Sequence, residues 1–191
     1  MNTREQLHKL LITKSVKTGN FTLASGRTSN IYIDARLTTM SPEGMMLIGQ
    51  IGLEEIRKNE WEADAIGGLT LGADPVAYAI SHVSASGNAP IRAFTVRKEA
   101  KAHGTGRRIE GPFQAGDRVV IVEDVITTGK SALEAIRAVE SEGGTVTGVL
   151  AVVDREEGGT KAITDQSYRV ISLATKGDLM TSSSSSDSGA G

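Results

Sequence analysis

The residues best equipped for chemistry lie in 119–131, Val-Val-Ile-Val-Glu-Asp-Val-Ile-Thr-Thr-Gly-Lys-Ser, where an apolar run meets two acids and then a turn rich in hydroxyls. The apolar part suits a strand buried on both faces. Val125, Ile126, Thr127, Thr128, Gly129, Lys130 and Ser131 then lead into a helix start, whose unpaired N–H groups and dipole favour a phosphate. Glu123 and Asp124 would repel that phosphate. They are suited instead to accept hydrogen bonds from sugar hydroxyls or to face a cation, so the combination reads as a cradle for a sugar phosphate. A nucleoside-triphosphate P-loop ends in the same Gly-Lys-Ser but needs a glycine five positions before its second glycine, where this chain has Asp124. Acids closing a strand ahead of a capped helix are also common architecture, so the reading rests on the whole pattern.

A second candidate is the polar segment 97–111, which carries Arg97, Lys98, Lys101, Arg107 and Arg108 together with His103. A connection of that length without structure of its own is usually a functional cover or a disordered segment. Gly104, Gly106 and Gly111 supply hinge freedom. A cationic cover suits an anion that must be enclosed during reaction and released afterwards. A solvated surface loop has the same composition.

The elements that must hold these groups follow from periodicity. Thr3 and Gln6 have capping-box spacing ahead of Leu7, Leu10 and Leu11, so a first helix is expected to end before Gly19. Residues 21–40 read as short strands around Ser25-Gly26-Arg27. Ser41 and Pro42 begin a helix with Met45, Ile48, Leu53 and Ile56 on its apolar face. From 65 onward strands at 65–68, 91–96, 119–123 and 146–153 alternate with helices from about 75 and over 131–142. Such alternation implies a parallel sheet covered by helices, with ligands beyond the strand carboxyl ends. Gly67-Gly68 and the turn after it, Arg97-Lys98, Glu123-Asp124 and Asp154-Arg155 would then share one rim.

Composition limits the alternatives. The chain has 191 residues, a formal net charge of −2 and no cysteine. One core is affordable at this length, no thiolate chemistry is available, and nothing attracts nucleic acid or an anionic membrane overall. No run approaches the roughly 20 apolar residues of a membrane span, and no secretory leader is evident, so a cytoplasmic enzyme is expected. A single domain over residues 1–180 should precede a disordered serine-rich tail, 181–191.

The segment 97–111 matches Arg-Lys-x-x-Lys-x-His-Gly-x-x-(Lys/Arg)-x-Ile-Glu-Gly, the catalytic-loop pattern of orotate phosphoribosyltransferases. Residues 119–131 likewise resemble the phosphoribosyl pyrophosphate signature of the type I phosphoribosyltransferases. Phe21-Thr22-Leu23-Ala24-Ser25-Gly26-Arg27, Tyr32-Ile33-Asp34 and Asp154-Arg155 extend the resemblance over about residues 1–175. It implies the type I phosphoribosyltransferase α/β fold, a central parallel sheet flanked by helices, with a helix and small N-terminal hood in about 1–40 and a core in about 41–178. It also implies conversion of orotate and phosphoribosyl pyrophosphate to orotidine 5′-monophosphate and pyrophosphate. Mg²⁺ would be held mainly by substrate and water, without dedicated protein ligands, and the loop would be shared between the subunits of a homodimer.

On that resemblance Glu123 and Asp124 hold the ribose 2′- and 3′-hydroxyls and favour a cationic ring. Arg97, Lys98, Lys101 and His103 take charge from the leaving pyrophosphate. Residues 125–131 wrap the 5′-phosphate, backbone groups at 31–33 line the base pocket, and Arg155 faces orotate. Local sequence equally permits Arg155 to pair with Asp154 or Glu157. Orotate needs little help from a base, and none is assigned. Two lysines found in some members are missing, at Ala24 and Asp74; Arg27 is expected to compensate for the first and backbone N–H groups of 70–73 for the second. A transferase for another base would leave the loop and Arg155 unexplained, and a regulatory sensor would need no working loop.

Overall fold

Alternating residues of one long strand explain the layering. The computed structural model describes residues 2–22, 28–99 and 108–184. Val119, Val120, Ile121 and Val122 are all fully buried. Val120 and Val122 join one apolar cluster, whereas Val119 and Ile121 join another, because successive side chains of a strand point to opposite faces. The strand thus has helices on both sides and lies inside the sheet.

Before the sheet come α1 (Thr3–Ser15) and a two-stranded antiparallel hood, β1 (Val16–Thr22) and β2 (Thr28–Ile33). Leu7 and Leu11 bury completely, and Arg4 ties α1 to the core by donating to Leu173 O and to Glu55 at 2.6 Å each. Helices α2 (Arg36–Thr39) and α3 (Pro42–Lys58) follow. The core then runs β3 (Ala65–Leu69), α4 (Ala73–Ser84), β4 (Arg92–Val96), β5 (Ile109–Glu110), β6 (Arg118–Ile126), α5 (Lys130–Ser141), β7 (Thr145–Asp154), α6 (Gly159–Thr164), β8 (Val170–Thr175) and α7 (Lys176–Ser184).

The six-stranded sheet has the order β5-β4-β3-β6-β7-β8, parallel except for β5. The path leaves β3 toward β4 on one side and resumes at β6 on the other. Strand order reverses between β3 and β6, and the crevice outside the carboxyl ends at such a switch point is where open α/β sheets bind ligands.

Four sequence expectations need correction. The capping box of α1 is Asn2 with Glu5, not Thr3 with Gln6: Glu5 N donates to Asn2 Oδ1 at 2.8 Å and Asn2 N to Glu5 Oε2 at 2.9 Å. Thr3 lies one residue too late, since Asn2 is the extended residue a cap requires. Within 21–40, Arg36–Thr39 is helical, because the Asp34 carboxylate accepts from Arg36 N and turns the chain. The segment before β6 is not wholly irregular, since Ile109, 8% exposed, pulls its neighbours onto the edge of β4. Finally, α7 reaches Ser184, inside the stretch expected to be disordered. Thr175 and Asp178 cap it reciprocally, and buried Leu179 docks it.

Candidate active site

Strand β6 runs to Ile126, three residues beyond its expected end, because β7 pairs with it as far as Ile126 and Asp154. The two acids are therefore fixed within the sheet and do not hang from a loop. Glu123 is 5% exposed, and its Oε1 has no hydrogen-bond partner among the described residues. Burial pushes its carboxyl up to about 8, with the neighbouring Asp124 adding to the effect. Asp124 is raised as well, chiefly by burial, against the opposing pull of Val125 N, which donates to Oδ1 at 2.8 Å, and of the Arg36 charge.

Both acids face a cleft of about 400 Å³ at the switch point. Its walls come from the hood and α2 (Tyr32 to Arg36), the turn after β3 (Leu69 to Gly72), Lys98 after β4, and Arg155 after β7. The turn after β3 approaches so closely that a Cβ on Gly72 would overlap the Asp124 carboxylate. Asp74 organises that turn from behind, accepting from Thr70 Oγ1 at 2.6 Å and Thr95 Oγ1 at 2.8 Å. The Thr70–Leu71 peptide is cis.

Val125, Thr127 and Ser131 line the cleft, and a recess of about 30 Å³ beside it is lined by Ile126, Thr128, Gly129 and Lys130 together with Glu123. Gly129 takes a left-handed φ of 78° at the N-cap of α5, which a side chain would resist. It is pressed against Gly159 O, 2.8 Å from where a Cβ would stand. This N–H-rich turn, next to two carboxylates with unmet capacity, can bind an anionic and a hydroxyl-bearing group of one molecule.

Known proteins with this arrangement decide the family. A phosphoribosyl transferase domain model matches residues 41–177. The orotate phosphoribosyltransferase of Aquifex aeolicus is 46% identical over 183 residues, covering 94% of this chain and 99% of the relative. The chain belongs to the orotate phosphoribosyltransferases. The Mycobacterium tuberculosis H37Rv orotate phosphoribosyltransferase solved with Fe(III) dicitrate superimposes with a TM-score of 0.84 at 46% identity, covering 93% of this chain and 99% of that one. The same organism's enzyme solved with 5-phospho-α-D-ribosyl 1-diphosphate gives 0.78 at 41% identity, with 93% and 99% covered.

In this orotate phosphoribosyltransferase the sequence candidates separate into groups. Glu123, Asp124, Val125, Thr127, Ser131, Lys98 and Arg155 meet at the cleft, and Ile126, Thr128, Gly129 and Lys130 at the recess. The Ile126 side chain belongs to the core, leaving its backbone to serve, and its O accepts from Arg155 N at 3.0 Å. Arg155 pairs with Glu157 at 2.7 Å, one of the two local partners open to it; Asp154 instead accepts from Glu156 N and Thr160 Oγ1. Arg97 reaches Glu110 at 3.5 Å and does not line the cleft. Lys101, His103 and Arg27 lie outside the described residues.

Arg36 was not among the sequence candidates, yet it stands on the hood side of the cleft, held by Asp34 through contacts of 2.8 and 3.0 Å. Its only signal was an Asp-x-Arg spacing after a strand. For a divalent cation, no cluster of three or more acidic or imidazole side chains exists among the described residues. Two carboxylates opening on a phosphate turn nevertheless fit Mg²⁺, which keeps its waters and takes few protein oxygens.

Proposed function

We propose that this chain is a cytoplasmic enzyme of pyrimidine nucleotide synthesis, transferring the phosphoribosyl group of phosphoribosyl pyrophosphate to orotate. The observation that carries the reading is the buried carboxyl of Glu123, whose Oε1 has no partner among the described residues, beside Asp124 and the N–H-rich turn at one switch point. In the reaction the C1′–O bond breaks and its electron pair leaves with pyrophosphate. A new bond forms from C1′ to N1 of orotate, which gives up its proton to solvent.

Positive charge develops on the ribose ring as the bond stretches, so the catalyst needs carboxylates under the ring and cations around the departing diphosphate. Asp124 and Glu123 take the ribose hydroxyls and face the ring. Residues 127–131 hold the 5′-phosphate through backbone N–H and hydroxyl groups. Lys98 receives the diphosphate from the described side, and we assign Arg97, Lys101 and His103 of the polar segment to the same charge. N–H groups of the turn 71–73 approach the diphosphate next to Asp124, since Thr70 N already donates to Val96 O at 2.8 Å, and Arg27 is assigned the place of the missing lysine. Arg155 presents a planar guanidinium to the planar anion, a geometry an ammonium cannot match. Mg²⁺ would be held beside Asp124 and Glu123, mainly through substrate and water, and would supply neutralisation of leaving-group charge there.

We also propose a homodimer, in which the segment 97–111 of one subunit serves its neighbour's site. Leu37, Met40, Met46 and Tyr78 are large hydrophobic side chains left exposed, apolar surface that pairing would cover. The decisive experiment follows orotate absorbance on adding phosphoribosyl pyrophosphate and Mg²⁺. Absorbance should change with stoichiometric release of pyrophosphate. Binding of phosphoribosyl pyrophosphate without that release would make the chain a sensor.

A further inference from the structure

We propose that Arg108, through Glu134, is a positioning residue that straps both ends of the cation-bearing segment to the phosphate-binding helix. The inference rests on the transferase reading above. Arg108 Nη2 donates to Arg97 O at 2.7 Å and Lys98 O at 3.0 Å, so a residue from the returning end grips the outgoing end. The same nitrogen lies 2.5 Å from Glu134 Oε1. Backbone pairing repeats the clasp, with Arg97 N donating to Arg108 O at 2.8 Å.

A second carboxylate fixes the return. Glu142, the C-cap of α5, accepts from Arg108 N at 3.1 Å and Ile109 N at 3.3 Å. One helix therefore supplies the turn for the 5′-phosphate at its start and two acids along its length that set where the segment leaves and rejoins the fold. Lys98, whose carbonyl is in the clasp, lines the cleft. Lys98 takes its placement from this strap, and groups displaced by about 1 Å from a reacting centre lose up to about 10²-fold in rate. The Arg108 and Glu134 side chains are both 27% exposed. A partly exposed pair contributes modest stability, so a large effect on turnover with an unchanged fold identifies positioning.

The test compares Arg108→Ala, Glu134→Ala, the double variant and Arg108→Lys. Each single alanine should lower kcat roughly 10-fold while KM for phosphoribosyl pyrophosphate moves less than about 3-fold and Tm stays within about 2 °C. The double should be no worse than the Arg108 single, and Arg108→Lys should recover part of the loss. Amide exchange at Arg97 and Ile109 should quicken in both singles while that of β6 does not. Wild-type kcat in Arg108→Ala, a multiplicative loss in the double, or unchanged exchange would each overturn the strap. If the wild type itself releases no pyrophosphate, the transferase reading fails, and exchange alone then decides the strap.

Discussion

The anionic and cationic halves of the site are built differently. Glu123 and Asp124 project from the central strand, are held by the flanking strands and the turn at Gly72, and keep carboxylate capacity unspent. Three described guanidinium groups around the site sit at element ends and are already engaged: Arg36 with Asp34, Arg155 with Glu157 and Arg97 with Glu110. Desolvated acids on a rigid sheet need no reorganisation when ring charge appears, and such preorganisation is where most electrostatic catalysis resides. Guanidinium groups held in ion pairs must exchange partners when substrate arrives. The carboxylates should govern turnover, and these three guanidinium groups should govern capture and release.

The largest expected effect tests the rigid half. Asp124→Asn keeps shape and hydrogen-bonding atoms but removes charge, and should lower kcat by about 10²–10³-fold. Lys101→Ala should cost a comparable factor by weakening leaving-group stabilisation. Mixing the two inactive variants then tests sharing between subunits: pooled sites should regain activity as hybrids form, whereas sites complete within one chain should regain none. An Asp124→Asn enzyme within threefold of wild type would erase the distinction between the halves.

A smaller effect is expected at Arg155. Arg155→Ala should raise the orotate KM by about 10–100-fold, the equivalent of a lost charge-assisted hydrogen bond of about 1.5–3 kcal/mol, with little change in the KM for phosphoribosyl pyrophosphate. Steady-state kinetics with each substrate varied separately measures this. A loss confined to kcat would place Arg155 with the rigid half and break the comparison.

Sequence exposed these halves unequally for physical reasons. The apolar run, the acids and the Thr-Thr-Gly-Lys-Ser turn form one contiguous pattern in which period, charge and helix-start chemistry agree, so strand, site and helix could all be read together. The convergence of the turns after Leu69, Val96 and Asp154 was legible too, since parallel strands bring their carboxyl ends to one rim. What was hidden depends on contacts distant in sequence. Asp74 looked like a missing lysine until Thr95, 21 residues away, was seen donating to it. Arg36 became part of the site only when the hood folded over the cleft, and the hold of Glu134 on Arg108 spans 26 residues. The helix through Ser184 depends on Leu179 finding the core, which a serine-rich composition does not announce.

The smallest effect probes how firmly the anionic half is desolvated. Glu123 ordinarily ionises near 4.5 and is held up to about 8, first by burial and then by the charge of Asp124. Between those values the folded chain keeps a proton that the unfolded chain has released. Stability must therefore fall as pH rises through that window, because the slope of unfolding free energy follows protons bound by the unfolded minus the folded state. Against Glu123→Gln, which cannot titrate there, wild type should lose on the order of a few kcal/mol between about pH 5 and pH 8, at no more than about 1.4 kcal/mol per unit. Urea unfolding of both proteins across that range measures the difference. The same proton should leave when phosphoribosyl pyrophosphate and Mg²⁺ bring hydroxyl donors and positive charge to the cleft, so binding near pH 7 should release up to about one proton in wild type and fewer in the variant. Calorimetry in buffers of unlike ionisation enthalpy reads that number. Parallel unfolding profiles and equal proton release would mean that water reaches Glu123 freely, leaving the carboxylates no more preorganised than the paired arginines.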